Sequence, residues 1–113
     1  MINITIRKEE DKIKFFEAKG HSEQADYGQD IVCSAVSVLF ETAGLGLEEC
    51  GYCDFYKQKH GYMKIDIPKF KNEEEANKCN FLLNTIAKAL YEISLEYPKN
   101  IIYQEDSKPI KKK

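Results

Sequence analysis

The segment from Glu73 to Tyr97 constrains the fold more than any other part of the chain. Its apolar residues recur at spacings of four, three, four, three and four positions, which is the period of an amphipathic helix. Such a helix must bury its apolar side against other elements, because one helix alone does not form a core. The apolar positions are Cys79, Leu83, Ile86, Leu90, Ile93 and Tyr97.

The amino-terminal residues have the alternating pattern of a β-strand. Apolar residues from Ile2 to Ile6 alternate with polar ones, and residues 12–19 form a second apolar segment after an acidic turn. The two segments predict an antiparallel hairpin. The alternation slips at Phe15-Phe16, which indicates either a β-bulge or a strand buried on both faces.

The rest of the chain predicts one more helix, a second hairpin and a short last strand. Asp30 is a good N-cap for a helix from Ile31 to about Leu47. The hairpin is predicted from Tyr52 to Lys57 and from Tyr62 to Ile67, and the last strand from Ile101 to Tyr103. The order ββαββα(β) predicts a single small α/β (α+β) domain, in which two helices cover one face of a mainly antiparallel sheet.

Composition excludes several classes of protein. With 42% hydrophobic and 32% charged residues, the 113-residue chain suits one soluble domain, predicted at residues 1–103, with a polar, disordered, lysine-rich tail at 104–113. The net charge of −2 gives no basis for direct nucleic-acid binding. The amino terminus lacks the apolar region of a signal peptide, and no stretch approaches the roughly 18 uninterrupted apolar residues of a membrane span. We expect a cytoplasmic protein whose cysteines are reduced thiols.

Cys33 is placed where a cysteine nucleophile would be expected. If Asp30 caps the helix, Cys33 is the third helical residue, close to free amides and the positive end of the macrodipole. These groups favour the thiolate and are able to bind the oxyanion of a tetrahedral intermediate. The alternative is an ordinary core residue, since the neighbours of Cys33 are apolar and the Asp30 charge opposes thiolate formation unless capping occupies it.

His21 is a candidate base for this cysteine. It follows Gly20 at the end of the second predicted strand. A strand end and a helix start joined by one loop are able to lie close together, so His21 could reach Cys33. The alternative is a solvent-exposed loop histidine.

The remaining cysteines give a weaker signal. Cys50 and Cys53 form a single CxxC, so a tetrahedral zinc site would also need Cys79 or His60. Redox CxxC motifs lie at a helix start, whereas this one follows a helix end, where the macrodipole disfavours the thiolate. Cys79 belongs to the apolar side of the long helix. We therefore predict neither a metal site nor a redox function at these cysteines.

The segment GHSEQADYGQDIVCSAVS resembles the ribosomal-processing cysteine proteases of the Prp family. In that family a Gly-His pair ends a strand, a mobile loop follows, and Gly-x-Asp-Ile-Val-Cys opens a helix with a serine one turn later. The segment EYPKNI at residues 96–101 is also similar to the carboxyl end of the family, so the resemblance covers nearly the whole chain. The matching residues of the first segment are Gly20, His21, Gly28, Asp30, Ile31, Val32, Cys33 and Ser37.

The resemblance implies a cysteine endopeptidase that uses a Cys/His pair without cofactor or metal. Its substrate would be the precursor of the twenty-seventh protein of the bacterial large ribosomal subunit. Cleavage after a pair of phenylalanines would remove a short amino-terminal extension. Members of the family are cytoplasmic and typically homodimeric.

Carried onto this chain, the resemblance makes Cys33 the nucleophile and His21 the general base. Asp30 would hold the helix start or orient His21. Ser37, one turn after Cys33, would either line the site or allow close helix packing.

The same resemblance makes the segment from Ser22 to Gln29 a lid over the substrate. Gly28 would be its hinge. Tyr27 would either contact the substrate or simply anchor the loop.

Two other functions stay compatible with these residues. In one, the chain is a non-enzymatic, ribosome-associated binding module in which His21 and Cys33 only pack. In the other, the same pair hydrolyses a different carbonyl, as in a thiol-dependent amidase. A reactive thiol at Cys33 near neutral pH separates both hydrolases from the binding module.

Overall fold

The computed structural model describes residues 1–20, 27–53, 56–59 and 61–108. Within these ranges the chain forms five strands and two helices in the order ββαββαβ, which confirms the predicted order. The strands are β1 (Ile2–Glu9), β2 (Lys12–Lys19), β3 (Tyr56–Lys59), β4 (Tyr62–Asp66) and β5 (Ile101–Lys108), and the helices are α1 (Tyr27–Glu49) and α2 (Glu73–Glu96).

The strands form one sheet in the spatial order β3-β4-β2-β1-β5. Neighbouring strands are antiparallel except for β1 and β5, which run parallel at one edge, so the prediction of a mainly antiparallel sheet is confirmed. The β1–β2 hairpin closes through Glu10 and Asp11, whose φ angles of 53° and 64° are typical of a tight two-residue turn. β2 lies between β4 and β1 and is therefore the central strand of the sheet, so the chain that follows it leaves from the middle of one edge of strand ends.

The slip in the alternation of β2 is a β-bulge. Consecutive residues of β1 pair with Ile13 and Phe15, so Lys14 is an extra residue between them. The bulge turns Ile13 and Phe16 to the same buried face, although an odd number of positions separates them. Of the two explanations that the sequence left open, the bulge is the one observed.

Both helices pack on one face of the sheet and against each other. α2 lies against β2 and β5, and α1 lies against β4. The apolar side predicted for α2 is buried from Cys79 to Leu90, with Ile93 and Tyr97 half-buried at its end. Ile4, Ile6, Phe16, Phe40, Leu83 and Leu90 are fully shielded from solvent and form the centre of the core.

The ends of α2 follow from its sequence. The Oδ1 atom of Asn72 accepts a hydrogen bond from the Glu75 N–H at 2.8 Å, which satisfies one of the free amides of the first turn. Three glutamates in that turn interact favourably with the positive end of the macrodipole. Pro98 follows directly after the C-cap residue Tyr97 and cannot continue the helix.

The first strand of the second hairpin begins later than the sequence predicted. The sequence pattern predicts a strand from Tyr52 to Lys57, but β3 begins at Tyr56. Tyr52 belongs instead to the turn after α1, where its hydroxyl donates a hydrogen bond to Glu75 and accepts one from the Lys71 N–H. These contacts with α2 and the segment before it hold Tyr52 away from the sheet.

The last strand is longer than predicted. β5 continues to Lys108, so the prediction of a disordered tail from residue 104 is wrong for residues 104–108. The register of β5 with β1 extends to the pair formed by Lys108 and Glu9, which supplies backbone hydrogen bonds throughout. Polar side chains are tolerated because β5 is an edge strand, and Lys8 forms an ion pair with Glu105 at 3.3 Å. Residues 109–113 lie outside the described residues.

α1 is apolar along most of its length. Residues Ile31–Glu49 have the length and the mean hydropathy, 1.5, of a membrane-spanning helix. The core helix of a globular protein meets the same criteria, and the side of α1 that carries Val32, Val36, Phe40 and Leu47 is buried in the core.

Candidate active site

Gly20 holds the end of β2 in one conformation. Its φ angle of +95° is rare for residues with a side chain. Its N–H donates to the Gly61 carbonyl at 2.8 Å, and a Cβ at this position would lie 2.5 Å from the Met1 carbonyl oxygen. Gly20 therefore determines the direction in which the chain leaves the middle of the sheet, directly before His21.

His21 lies outside the described residues, as do residues 22–26 of the predicted lid and His60. The predicted roles of His21 as base and of the segment as lid stay predictions. The flanking backbone is described on both sides, at Gly20 and from Tyr27 onward. His21 is thus attached directly to a strand end whose conformation is closely restrained.

α1 begins at Tyr27, so the prediction of Asp30 as the N-cap is wrong. Nothing from Tyr27 to Asp30 breaks a helix, since Gly28 costs only about 1 kcal/mol relative to alanine. Aspartate is favourable in the first helical turn as well as at the N-cap, so residue type alone does not separate the two positions. Gly28 is a helical residue and not the hinge of a loop, and the last three residues of the predicted lid, 27–29, are helical. The substrate contact predicted for Tyr27 stays a prediction.

Cys33 lies in the second turn of α1 and not in the first. As the seventh helical residue it is beyond the four amides that lack an intrahelical partner. The influence of the macrodipole falls off within the first turn. The helix start is therefore farther from this thiol than the sequence suggested, and the predicted catalytic role of Cys33 depends more on a neighbouring group such as His21. The side chain is half-buried and packs against the edge of the core.

Ser37 lies one turn after Cys33 and is half-buried on the same side of α1. This side is turned away from α2, because Gly46 lies on the opposite side of the helix, where a Cβ would overlap the Leu82 side chain. Further along the helix a groove of about 370 Å³ opens between α1 and β3. Its lining residues are Glu41, Gly44, Leu45, Glu48, Tyr56 and Gln58. Cys33 and Ser37 thus lie on the same side of α1 as the α1 residues that line this groove.

The groove was not predicted from the sequence. Part of one wall was visible in the sequence, because intervals of seven and four positions place residues on one side of a helix. These intervals separate Ser37, Gly44 and Glu48 in α1. No local pattern indicated that β3 would form the opposite wall. Burial, and then the Glu41 carboxylate, raise the pKa of Tyr56, so this wall carries a neutral phenol beside acidic residues.

The carboxyl end of α1 is a Schellman motif. Gly51 has a φ angle of +90°, and its N–H donates to the Glu48 carbonyl at 2.9 Å. The Tyr52 N–H donates to the Leu47 carbonyl at 3.1 Å. The motif fixes the backbone on both sides of Cys50.

This placement brings Cys50 against α2. Its Sγ lies 3.4 Å from the Sγ of Cys79, which is buried, as its position in the apolar stripe predicted. Cys53, the other member of the CxxC, is exposed. Within the described parts of the chain, no three His, Cys, Asp or Glu side chains are grouped so that they could hold a metal ion.

The environment of Cys79 predicts a loss of stability in alkaline solution. Burial, and then the hydrogen bond with Cys50, raise the pKa of Cys79 from 9.0 to about 11. Its contribution to the free energy of unfolding is therefore complete below about pH 9 and is lost as the pH rises toward about 11. At about 1.4 kcal/mol per pKa unit, this loss is on the order of 3 kcal/mol.

Urea denaturation at a series of pH values checks this prediction. Cys79→Val should make the free energy of unfolding less dependent on pH between about 9 and 11. Tyrosines whose pKa is also raised contribute equally to the pH dependence of wild type and of Cys79→Val, so they do not affect the comparison. The control variant Cys53→Ser should have the same pH dependence as wild type. The same pH dependence in wild type and Cys79→Val would contradict the prediction.

The sequence matches a known family over nearly its whole length. A family model described as cysteine protease Prp matches residues 1–102. The ribosomal processing cysteine protease Prp of Bacillus subtilis (strain 168) is 30% identical over 105 residues, which cover 89% of this chain and 94% of that protein.

Solved structures share the fold. The protein SMU.848 from Streptococcus mutans has a TM-score of 0.79 at 25% identity, with 96% of each chain covered. The essential ribosomal processing protease Prp from S. aureus has a TM-score of 0.76 at 21% identity in its complex with a substrate peptide, with 94% of this chain and 100% of that one covered. With a covalently linked product peptide, the same protease has a TM-score of 0.74 at 24% identity and the same coverage. The residues matched by the family model include Gly20 and Cys33, and this match shows that the chain belongs to the Prp family of cysteine proteases.

Proposed function

We propose that this protein matures the twenty-seventh protein of the bacterial large ribosomal subunit. It removes the amino-terminal extension of the precursor by cleavage after a Phe-Phe pair, with Cys33 as nucleophile and His21 as general base. The observation that carries the proposal is the family match over residues 1–102, which spans both of these residues.

The relatives support a covalent mechanism on a ribosomal substrate. The Bacillus subtilis relative is named as a ribosomal processing protease. The S. aureus Prp was solved both with a substrate peptide and with a covalently linked product peptide. A linked product is what a protease with a cysteine nucleophile forms when the acyl part of the substrate stays on the sulfur.

The proposed reaction follows from the two side chains. The Sγ of Cys33 attacks the scissile carbonyl carbon as His21 takes the thiol proton. The tetrahedral intermediate collapses to a thioester, and His21 returns the proton to the leaving amine. Water then attacks the thioester with His21 as base, which releases the cleaved extension and restores the thiol. Gly20 supports this sequence of steps as a positioning residue, because it restrains the backbone directly before His21.

We also propose that the protein is a cytoplasmic homodimer without direct contact to nucleic acid. The helical layer carries apolar side chains on its outer surface, where Val38 and Leu95 are each 58% exposed. Beside them α1 and α2 form an almost entirely apolar depression lined in part by Leu39, Ala89 and Ile93. A second copy of the chain would cover this surface. Sedimentation equilibrium should show a dimer at micromolar concentration, and a wild-type monomer would contradict this proposal.

Mass analysis of the substrate tests the protease proposal. The full chain is incubated with the ribosomal precursor, and the amino terminus of the product is determined from its intact mass. Wild type should remove the extension after the Phe-Phe pair, whereas Cys33→Ala and His21→Ala should leave the precursor intact. A matched precursor with both phenylalanines changed to alanine should also stay uncut.

The outcomes separate the parts of the proposal. A precursor that wild type leaves intact shows that the substrate assignment is wrong, without bearing on the thiol chemistry. Cleavage by Cys33→Ala shows that the mechanism is wrong. Cleavage of the alanine precursor shows that the phenylalanine specificity is wrong.

A further inference from the structure

A second thiol site lies at the other end of α1 from Cys33. The proposed protease reaction uses Cys33 and leaves Cys50 and Cys79 without a role. At 1.5 Å per residue, Cys50 is about 25 Å along the helix from Cys33, so the two sites do not share a reacting atom. The Sγ atoms of Cys50 and Cys79 are 3.4 Å apart and in hydrogen-bond contact.

We propose that Cys50 and Cys79 form a peroxide-oxidisable dithiol that closes to an intramolecular disulfide. A disulfide needs an S–S distance of about 2.05 Å, so side-chain rotation has to close only about 1.4 Å between the two sulfur atoms. The Schellman motif at Gly51 holds the backbone beside Cys50, and α2 holds Cys79. The pair is therefore preorganised by two elements that are distant in sequence.

The burial of the two thiols assigns their order of reaction. Cys50 is half-buried and accessible to a small oxidant, whereas Cys79 is only 3% exposed. Burial and the hydrogen bond with Cys50 raise the pKa of Cys79 to about 11, so it stays protonated at neutral pH. Peroxide thus reacts first at Cys50, and Cys79 is the resolving thiol.

The chemistry balances with hydrogen peroxide as the oxidant. The Cys50 thiolate attacks one peroxide oxygen, the O–O bond breaks, and the departing hydroxide takes up the proton that Cys50 lost, leaving a sulfenic acid. The Cys79 sulfur then attacks the Cys50 sulfur, the S–OH bond breaks, and the hydroxide leaves as water with the proton of Cys79. Two thiols are oxidised to one disulfide, and one peroxide is reduced to two waters.

The cross-link has two physical consequences. Capture by Cys79 keeps Cys50 from further oxidation to the sulfinic acid, and a thiol reductant restores both thiols. The disulfide also ties the end of α1 to α2 and closes a loop that contains β3 and β4. Closing a loop of this length should raise the Tm by about 5 to 10 °C.

Peptide mapping after peroxide treatment tests the site. The experiment uses the full chain with Cys33→Ala, because this substitution removes competing oxidation at the proposed nucleophile. Alkylation after the reaction blocks the remaining thiols. Trypsin releases residues 79–88 separately from residues 20–57, since no lysine or arginine lies between Gly20 and Tyr56. We expect a linked pair of these peptides, a mass lower by two hydrogens for the intact chain, and a higher Tm that a reductant reverses.

Single cysteine variants in the same background assign the bond. Cys53→Ser should keep the linked peptides and the rise in Tm, and Cys50→Ser should lose both. Cys50 is the safer position for the loss variant, because it is less buried than Cys79. A Cys50–Cys53 disulfide, a sulfinic acid at Cys50 without a linked peptide, or a bond between two chains would each overturn the proposal.

Discussion

Replacement of Cys33 by serine is expected to reduce kcat/KM for a peptide containing the Phe-Phe site by more than about 10³-fold. The hydroxyl nearly preserves the volume of this half-buried side chain, but it is a much weaker nucleophile than a thiolate. The loss should therefore occur in a folded protein with a Tm close to that of wild type. The measurement is the initial rate of peptide cleavage together with a thermal melt.

Two further variants serve as controls. Cys53→Ser changes an exposed cysteine outside the proposed site and should keep wild-type activity. Ser37→Ala tests the residue one turn after Cys33 and should have a smaller effect than Cys33→Ser. Activity of Cys33→Ser within tenfold of wild type would exclude Cys33 as the nucleophile.

Competition between two cysteines in one chain separates an enzyme from a binding module. An ordinary thiol reacts according to its accessibility, so iodoacetamide would modify exposed Cys53 before half-buried Cys33. If Cys33 is activated, this order is reversed near neutral pH, and His21→Ala should slow the modification of Cys33 alone. Faster modification of Cys53 in wild type would favour the binding module. An amidase would show the activated thiol but would not cleave the Phe-Phe peptide.

Gly20→Ala is expected to lower both stability and activity. The φ angle of +95° is unfavourable for alanine, and its Cβ would lie 2.5 Å from the Met1 carbonyl oxygen, which belongs to the backbone and cannot rotate away. Strain of this kind amounts to roughly 1–3 kcal/mol, so the free energy of unfolding should fall by about that amount. The chain would also leave β2 in a different direction, which displaces His21 relative to Cys33.

The activity of Gly20→Ala is therefore measured well below its Tm, where the variant is folded. We expect at least about a hundredfold loss of kcat/KM under these conditions, since misplacing a reacting group by about 1 Å costs on that order. Lys19→Ala, at the exposed last residue of β2, is the matched control and should be close to wild type. Full activity and an unchanged Tm in Gly20→Ala would show that this position does not restrain the site.

The parts of the fold that were predicted correctly depend on local patterns. The period of the apolar residues from Cys79 to Leu90 placed α2, and the slip at Phe15-Phe16 left a bulge as one of two explanations, of which the structure shows the bulge. These features depend on side chains a few positions apart, which the sequence lists directly. The start of α1 was wrong because Gly28 and Asp30 are compatible both with a helical first turn and with a loop and its cap.

What the sequence determined by itself is the set of elements, the sides that they bury, and the Gly-His and Asp-Ile-Val-Cys motifs that indicate the family. The tertiary structure decided which distant residues meet: the groove between α1 and β3, the contact of Cys50 with Cys79, and the pairing that carries β5 to Lys108. The reason is physical. Local conformation follows from neighbours along the chain, whereas these contacts arise only when packed helices and paired strands bring separate segments together.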